Sequence, residues 1–305
     1  MKNYYEKEAS CEAEFMQLSG IYHLWTQEDF EIIFTCDDEF KAGMNVVGLC
    51  AMMHPNIQII TFELMSNHMH FAISGNETDV VTFFSTTKKY LSRYFTKAGR
   101  RIGWNKFTEK HRLLKTLNEA RNVIIYINRN GYLVNERYTP FSYPWGANRY
   151  FYNQDIKDLA VQNSLDMSFR LRRKSICSHK ADNISDMQTY GGYALPLSFC
   201  RIEDGECLFT SASNYFHRLG KNIENMKEIA REIGESVFYT DDEIYSLLLK
   251  ICQRKYNCAH PWELSSSAKI ELAKLLKYEY NSNSKQIVRM LKIPSQVLTS
   301  IGIRE

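Results

Sequence analysis

From Ile57 to Met65 the chain reads IQIITFELM, a run dense in β-branched and aromatic residues that predicts a strand. Ser66-Asn67 is turn chemistry. Alternation then resumes from His68 to Ile73, which places His68, His70 and Ala72 on one face and Met69, Phe71 and Ile73 on the other. The apolar face is expected to pack inward. The other face carries two imidazoles whose Cα atoms are ~7 Å apart, within reach of one divalent ion. IYHLWT, at Ile21 to Thr26, reads as an earlier strand. Apolar residues at helical spacing, with an acidic first turn, predict a helix over Asp37 to Met53 that His54-Pro55-Asn56 breaks. Further helices are expected at about Asp79 to Lys97 and Asn118 to Asn128, with Gly131 as the C-terminal stop of the latter.

After Asn153 the pattern becomes mostly helical. Thr240 and Glu243 form a capping box ahead of IYSLLLKICQRKY. The segment from Leu264 to Gly302 predicts three helices in helix-turn-helix order, at about 268–303. Ser284 would cap the middle helix, Lys292-Ile293 would form the turn, and Pro294 would open the last helix. That helix presents Ser295, Gln296 and Thr299 to a major groove, or else the three helices form a small structural or dimerising bundle.

A length of 305 residues with 44% hydrophobic content fits one large or two ordinary domains with a real core. A net charge of +3 permits a nucleic-acid partner without demanding one. The polar, acidic start and the lack of a long apolar run predict neither a secretory signal nor a membrane span. Eight cysteines without C-x-x-C pairs read as reduced cytosolic thiols. Cys252, Cys258 and His260 cluster loosely, without standard zinc spacing. FRLRRKSICSHK, at Phe169 to Lys180, is the most basic run, either a DNA-facing linker or a solvated one.

RNVIIYINRNGYLV adds chemistry to the histidine strand, because Tyr126 and Asn130 stand at i and i+4 on one helical face. MSNHMH (Met65 to His70), YINRNG (Tyr126 to Gly131) and SYPWGANRYF (Ser142 to Phe151), in that order and approximate spacing, resemble the HUH-type single-tyrosine transposases of the IS200-like and REP-associated group. The resemblance covers about Tyr22 to Phe151. It implies an α+β domain over 1–153, an antiparallel sheet with packed helices of the HUH endonuclease (ferredoxin- or RRM-like) kind, followed by a mostly α-helical extension over 154–305. It further implies that His68, His70 and Asn130 hold Mg²⁺ or Mn²⁺, and that Tyr126 attacks single-stranded or hairpin DNA to leave a 5′-phosphotyrosine and a free 3′ hydroxyl. A cytoplasmic, nucleoid-associated prokaryotic protein, monomeric or homodimeric, follows from the same likeness. Ser66 and Gly131 stand where the family has prolines, which marks a divergent branch and leaves a domesticated or inactive member as the alternative.

KKYLSRYFTKAGRRIGW resembles the family's basic, aromatic helix and loop. Lys88, Lys89, Arg93, Arg100, Arg101 and Trp104 are its candidate DNA contacts. The other reading of the same stretch is an amphipathic helix that packs Tyr90, Leu91 and Tyr94 and solvates its charges. Two further functions remain open: a non-catalytic DNA-binding regulator, and an H-x-H metal hydrolase.

Overall fold

Four strands form an antiparallel sheet in the order β2-β3-β1-β4: β1 (Ile21–Thr26), β2 (Gln58–Leu64), β3 (Met69–Ser74) and β4 (Glu109–Leu114). The first three match the alternation in the sequence. The fourth, EKHRLL, carries too many charges to announce itself as a strand, and it occupies a sheet edge, where charge blunts unwanted pairing. The protein is described by a computed structural model over residues 2–27, 30–134, 142–180, 182–184, 186–224, 241–280 and 282–303. The chain divides into two units, Met1–Gly131 with Thr139–Glu224 and Tyr132–Tyr138 with Asn225–Glu305, so the first unit extends past the change of pattern at Asn153.

Helices cover both faces of the sheet. Phe71 meets Phe83 at 5.6 Å between ring centroids, which places α3 (Glu77–Lys97) on the Met69–Phe71–Ile73 face. Alongside it lies α2 (Asp37–Met53), with its acidic first turn at Asp37, Asp38 and Glu39. The opposite face carries α4 (Leu117–Val134), which is buried on all sides from residue 123 to residue 131. Every residue of β3 is therefore buried, including His70. The expectation that the histidine face stands clear of the core is corrected: a second helical layer closes it.

Helix α4 also runs beyond its predicted end. Gly131 lies inside it rather than stopping it, because the glycine serves close packing: a Cβ there would sit 2.3 and 2.4 Å from Tyr143 ring atoms and 2.6 Å from its Cβ. The Tyr143 ring is buried, and its hydroxyl donates to the Leu64 carbonyl at 2.6 Å, so it cannot give way. Gly131→Ala is therefore expected to lower the melting temperature by about 5 °C through roughly 2 kcal/mol of overpacking, although helix propensity alone predicts a gain of about 1 kcal/mol. A thermal melt decides the sign.

The SYPWGANRYF segment braces the outer edge of β2. Leu64 N–H donates to Trp145 O at 2.9 Å, Ala147 N–H donates to Phe62 O at 3.0 Å, and Glu63 bridges Gly146 antiparallel. A buried hydrogen-bond ring then locks α4 to its surroundings. Thr61 Oγ1 donates to Asn128 Oδ1 (2.5 Å), Asn128 Nδ2 to the Tyr215 hydroxyl (2.8 Å), that hydroxyl to Asn148 Oδ1 (2.7 Å), and Asn148 Nδ2 to Asn128 O (2.6 Å). Such a ring fixes the rotation of α4 about its axis, since slippage would strand several buried polar groups. Tyr215 belongs to α8 (Ala212–Glu224). At the other end of α4, Arg121 pairs with Glu8 of α1 (Lys2–Gln17) at 2.6 Å.

The rest of the first unit comprises α5 (Gln154–Gln162), α6 (Phe169–Ile176) and α7 (Ile202–Cys207), together with a three-stranded antiparallel sheet of β5 (Leu165–Asp166), β6 (Gln188–Tyr190) and β7 (Tyr193–Ala194). That small sheet was not anticipated in a stretch that reads as helical. In the basic run, Arg172 is buried with Nε on Met167 O at 2.8 Å, and Arg173 pairs with Asp182 at 2.9 Å.

In the second unit, α9 (Asp241–Ile251) precedes α10 (Ser266–Glu279), α11 (Ser284–Leu291) and α12 (Ser295–Ser300), so the three expected helices are present in order. The cap of α11 is Asn283 rather than Ser284: the Asn283 side chain accepts from Gln286 N–H at 2.8 Å. Lys292 takes the left-handed conformation of the turn at φ 50°. The capping box proposed at Thr240 lies outside the described residues. Among the described residues no helix is long and apolar enough to cross a membrane.

Candidate active site

The Ser66-Asn67 turn sets the first histidine. Met65 N–H donates to His68 O at 2.9 Å, and Ser66 O accepts from Ile33 and Phe34 N–H at 2.8 and 2.9 Å. His68 thus closes the turn and β3 begins one residue later, yet the two-residue spacing still brings the imidazoles together. Their ring centroids are 4.9 Å apart at 88°. Two imidazoles ligating one ion at ~2.0–2.1 Å place their centroids about 5 Å apart, so the pair fits a shared cation. Asn67 Oδ1 lies 2.8 Å from His68 Nδ1. With Nδ1–H donating there, the Nε2 lone pair is left for a ligand.

Helix α4 supplies the other side. The Tyr126 ring stands 5.5 Å from His70 at 89°, and the Arg129 guanidinium carbon lies 4.6 Å over that same tyrosine ring. One turn beyond Tyr126, Asn130 is 6% exposed, and its side-chain nitrogen is buried without an acceptor among the described residues. Amide nitrogen and oxygen exchange places by a half-turn, which would turn an acceptor into that position. Of the predicted quartet, His68, His70 and Tyr126 are thus brought together from the H-x-H strand and α4, Asn130 follows one helical turn after Tyr126, and none of the four is more than 6% exposed.

Three further residues join it. Register on β1 puts His23 opposite Ala72 and Trp25 opposite His70. The His23 ring stacks on His70 at 5.7 Å and stands edge-on to Tyr126 at 6.2 Å. Glu63 pairs with His70 across β2 and β3, fully buried. Its Oε2 accepts from Gly131 N–H at 2.6 Å, and its Oε1 has no donor among the described residues. The third is Arg129. His23 carries no motif of its own. Glu63 had a signal, a lone carboxylate inside an apolar strand.

Burial dominates the electrostatics. It holds His23 and His68 down to about 3, with the Arg112 charge adding to the effect on His23. Burial, and then His68, His23 and Arg129, push His70 well below the usual imidazole range. All three are neutral at neutral pH, the state a ligating imidazole requires. Burial raises the Glu63 carboxyl well above the usual range, against the pull of the Gly131 N–H and the Arg129 charge.

The proposed DNA contacts lie elsewhere. Tyr90 and Leu91 are buried in α3, and Tyr94 is half-buried, as the packing reading has it. Lys88 donates its ammonium to Phe107 O. Lys89, Arg93 and Arg101 are exposed. Arg100 clamps a loop, donating to Ile33 O at 2.6 Å, Ile32 O at 2.9 Å and Glu39 at 2.7 Å. Trp104 packs on Phe95 at 5.9 Å and Phe107 at 5.4 Å. Because α3 packs on the Phe71 face, Lys88, Lys89 and Arg93 are carried by the layer opposite Tyr126.

Among the described residues no three His, Cys, Asp or Glu side chains form a metal-holding group, Cys252, Cys258 and His260 included. A cation at His68 and His70 therefore calls on a donor of another type, such as the Asn130 amide. No family model, curated protein or solved structure matches the chain.

Proposed function

We propose that the first unit cleaves and rejoins single-stranded DNA by transesterification through Tyr126, the chemistry of the HUH-type single-tyrosine transposases that its motifs resemble. The observation that carries this reading is the convergence of the His68–His70 pair with the Tyr126 ring, at centroid distances of 4.9 and 5.5 Å, from two distant parts of the chain.

In this reading the Tyr126 phenol oxygen attacks phosphorus and loses its proton, while the departing 3′ oxygen takes one up. The 5′ phosphate stays on the tyrosine, and attack by a 3′ hydroxyl reverses the step. A phenol ionises near 10 and is a weak nucleophile at neutral pH. The Arg129 guanidinium over its ring favours the phenolate as charge develops. Neutral His68 and His70, with the Asn130 amide oxygen, would hold Mg²⁺ or Mn²⁺, imidazole ligands favouring the latter. Such an ion supplies charge neutralisation at the non-bridging phosphate oxygens. Glu63, by accepting from Gly131 N–H, holds the turn of α4 that presents Asn130 against β2. Because Tyr126 is only 3% exposed, loading a phosphate requires local opening over the site.

The test is incubation of the full chain with a hairpin-bearing single-stranded oligonucleotide and Mn²⁺, followed by denaturing electrophoresis. A covalent protein–DNA species is expected, which excess chelator abolishes and added Mn²⁺ or Mg²⁺ restores. Undiminished activity in chelator contradicts the metal assignment. A second reading, a regulator that binds DNA without cutting it, draws on the helix-turn-helix order of α10 to α12 and predicts binding with no adduct.

A further inference from the structure

The site is closed over Tyr126 but not along the whole sheet. Pleating and register sort the side chains of β1 and β4. His23 lies opposite Arg112, and Trp25 lies opposite Lys110, so these four share the face that carries His70. The other acidic and basic members of β4, Glu109 and His111, point the opposite way, and His111 is held there by Glu77 at 2.9 Å. On the site face, therefore, both charges of β4 are positive. Exposure rises along that face toward the edge: His70 and His23 are fully buried, Trp25 and Arg112 are half-buried, and Lys110 is exposed.

Two of these side chains are incompletely used. Arg112 Nε and Nη2 are buried without an acceptor among the described residues, and His23, opposite it across the ladder, is neutral, its protonation disfavoured by the guanidinium. A half-buried guanidinium with unspent donors calls for an anion, and phosphate oxygens match its fork. Trp25 stacks on His23 at 4.6 Å and 22°, and His23 stacks on His70 at 5.7 Å and 18°. This is a graded row of rings running from the half-buried indole to the histidine pair.

We propose that the β1–β4 edge is the track by which single-stranded DNA reaches the site, with one unpaired base stacked on Trp25 and neighbouring phosphates held by Arg112 and Lys110. The proposal rests on the cleavage reading for its destination, and its own content is the direction of entry and the three residues. A single strand fits and a duplex does not, because stacking on Trp25 needs a base free of its partner. Lys110 and Arg112 are two residues apart on one strand, ~7 Å, close to the span between successive phosphates of an extended strand.

The experiment measures binding of a fluorescein-labelled single-stranded oligonucleotide by anisotropy across a salt series, using the full chain and Trp25→Ala, Trp25→Phe, Arg112→Gln and Lys110→Gln. Trp25→Ala is expected to weaken binding about tenfold, with Trp25→Phe restoring most of it. Arg112→Gln and Lys110→Gln should each weaken binding and lower the log–log salt slope by about 0.7, the single-strand value for one phosphate. Lys110 is exposed, so its variant carries the slope test if Arg112→Gln does not fold. Unchanged affinity and slope in folded variants overturn the track, as does a duplex that competes as well as the single strand. The two readings separate cleanly. A wild-type adduct alongside unaffected variants removes the track and keeps the cleavage reading. Binding that depends on Trp25 and Arg112 without any adduct does the reverse, and a wild-type chain that binds no single strand removes both.

Discussion

Tyr126→Phe is expected to abolish the covalent protein–DNA species while leaving folding, metal binding and DNA binding in place. The ring is what packs: it stands 5.5 Å from His70, 6.2 Å from His23 and 4.6 Å beneath the Arg129 guanidinium, and phenylalanine keeps all of these neighbours. What it loses is the nucleophilic oxygen. The loss is therefore of the whole adduct signal rather than a fraction of it. Mass spectrometry of the trapped wild-type adduct should place the nucleotide on Tyr126. Tyr90, the obvious competitor in the sequence, is buried on the α3 side of the sheet. A nucleotide found on Tyr90, Tyr94 or another tyrosine defeats the assignment. DNA cut by wild-type protein with no adduct transfers support to the water-using hydrolase.

Much of this arrangement was legible because two periodicities met. The two-residue spacing across the end of the turn into β3 set His68 beside His70, and the 3.6-residue repeat of α4 put Tyr126 and Asn130 on one helical face. What could not be read was which elements lie against each other. His23 sits in IYHLWT with nothing to distinguish it until strand order puts β1 next to β3. Nor does local pattern reveal that α4 covers the histidine face, since a strand with polar residues on one face looks the same whether that face meets water or a helix. Gly131 shows a different ambiguity. The same residue type ends helices and permits close approach, and here the Tyr143 ring decides in favour of the second. The basic helix α3 was legible as a helix but not as to its side of the sheet, which Phe71 and Phe83 determine.

Burial of the histidine face has a large thermodynamic consequence: the metal-free protein should lose stability steeply as pH falls below about 6.5. His23 and His68 ionise at about 3 in the folded chain and near 6.5 when unfolded, and His70 is depressed in the same direction. Between those values the unfolded chain binds protons that the folded chain refuses. The stability these histidines contribute is complete above 6.5 and is lost on acidification at about 1.4 kcal/mol per pH unit for each. Glu63 works in the opposite sense. Its raised folded value means that the folded chain keeps a proton the unfolded chain releases, so its contribution is present at low pH and is lost as pH rises through that raised value. Arg112 and Arg129 are the fixed charges facing these groups. Three histidines outweigh one carboxyl, so unfolding takes up protons on balance as pH falls below 6.5. From pH 6.5 to 5 the loss is on the order of 3 kcal/mol, a large share of the 5–15 kcal/mol that typically holds a fold together. Urea unfolding at pH 7, 6 and 5 in the presence of chelator measures it, and equal stability at all three would refute the buried-neutral assignment. Adding Mn²⁺ should then raise the stability by a similar amount at all three pH values, because a cation on His68 and His70 binds the folded state, where His68 stays neutral down to about 3 and His70 is depressed in the same direction. A Mn²⁺-insensitive curve in an otherwise acid-sensitive protein would separate the two claims, leaving the histidines buried but not ligands.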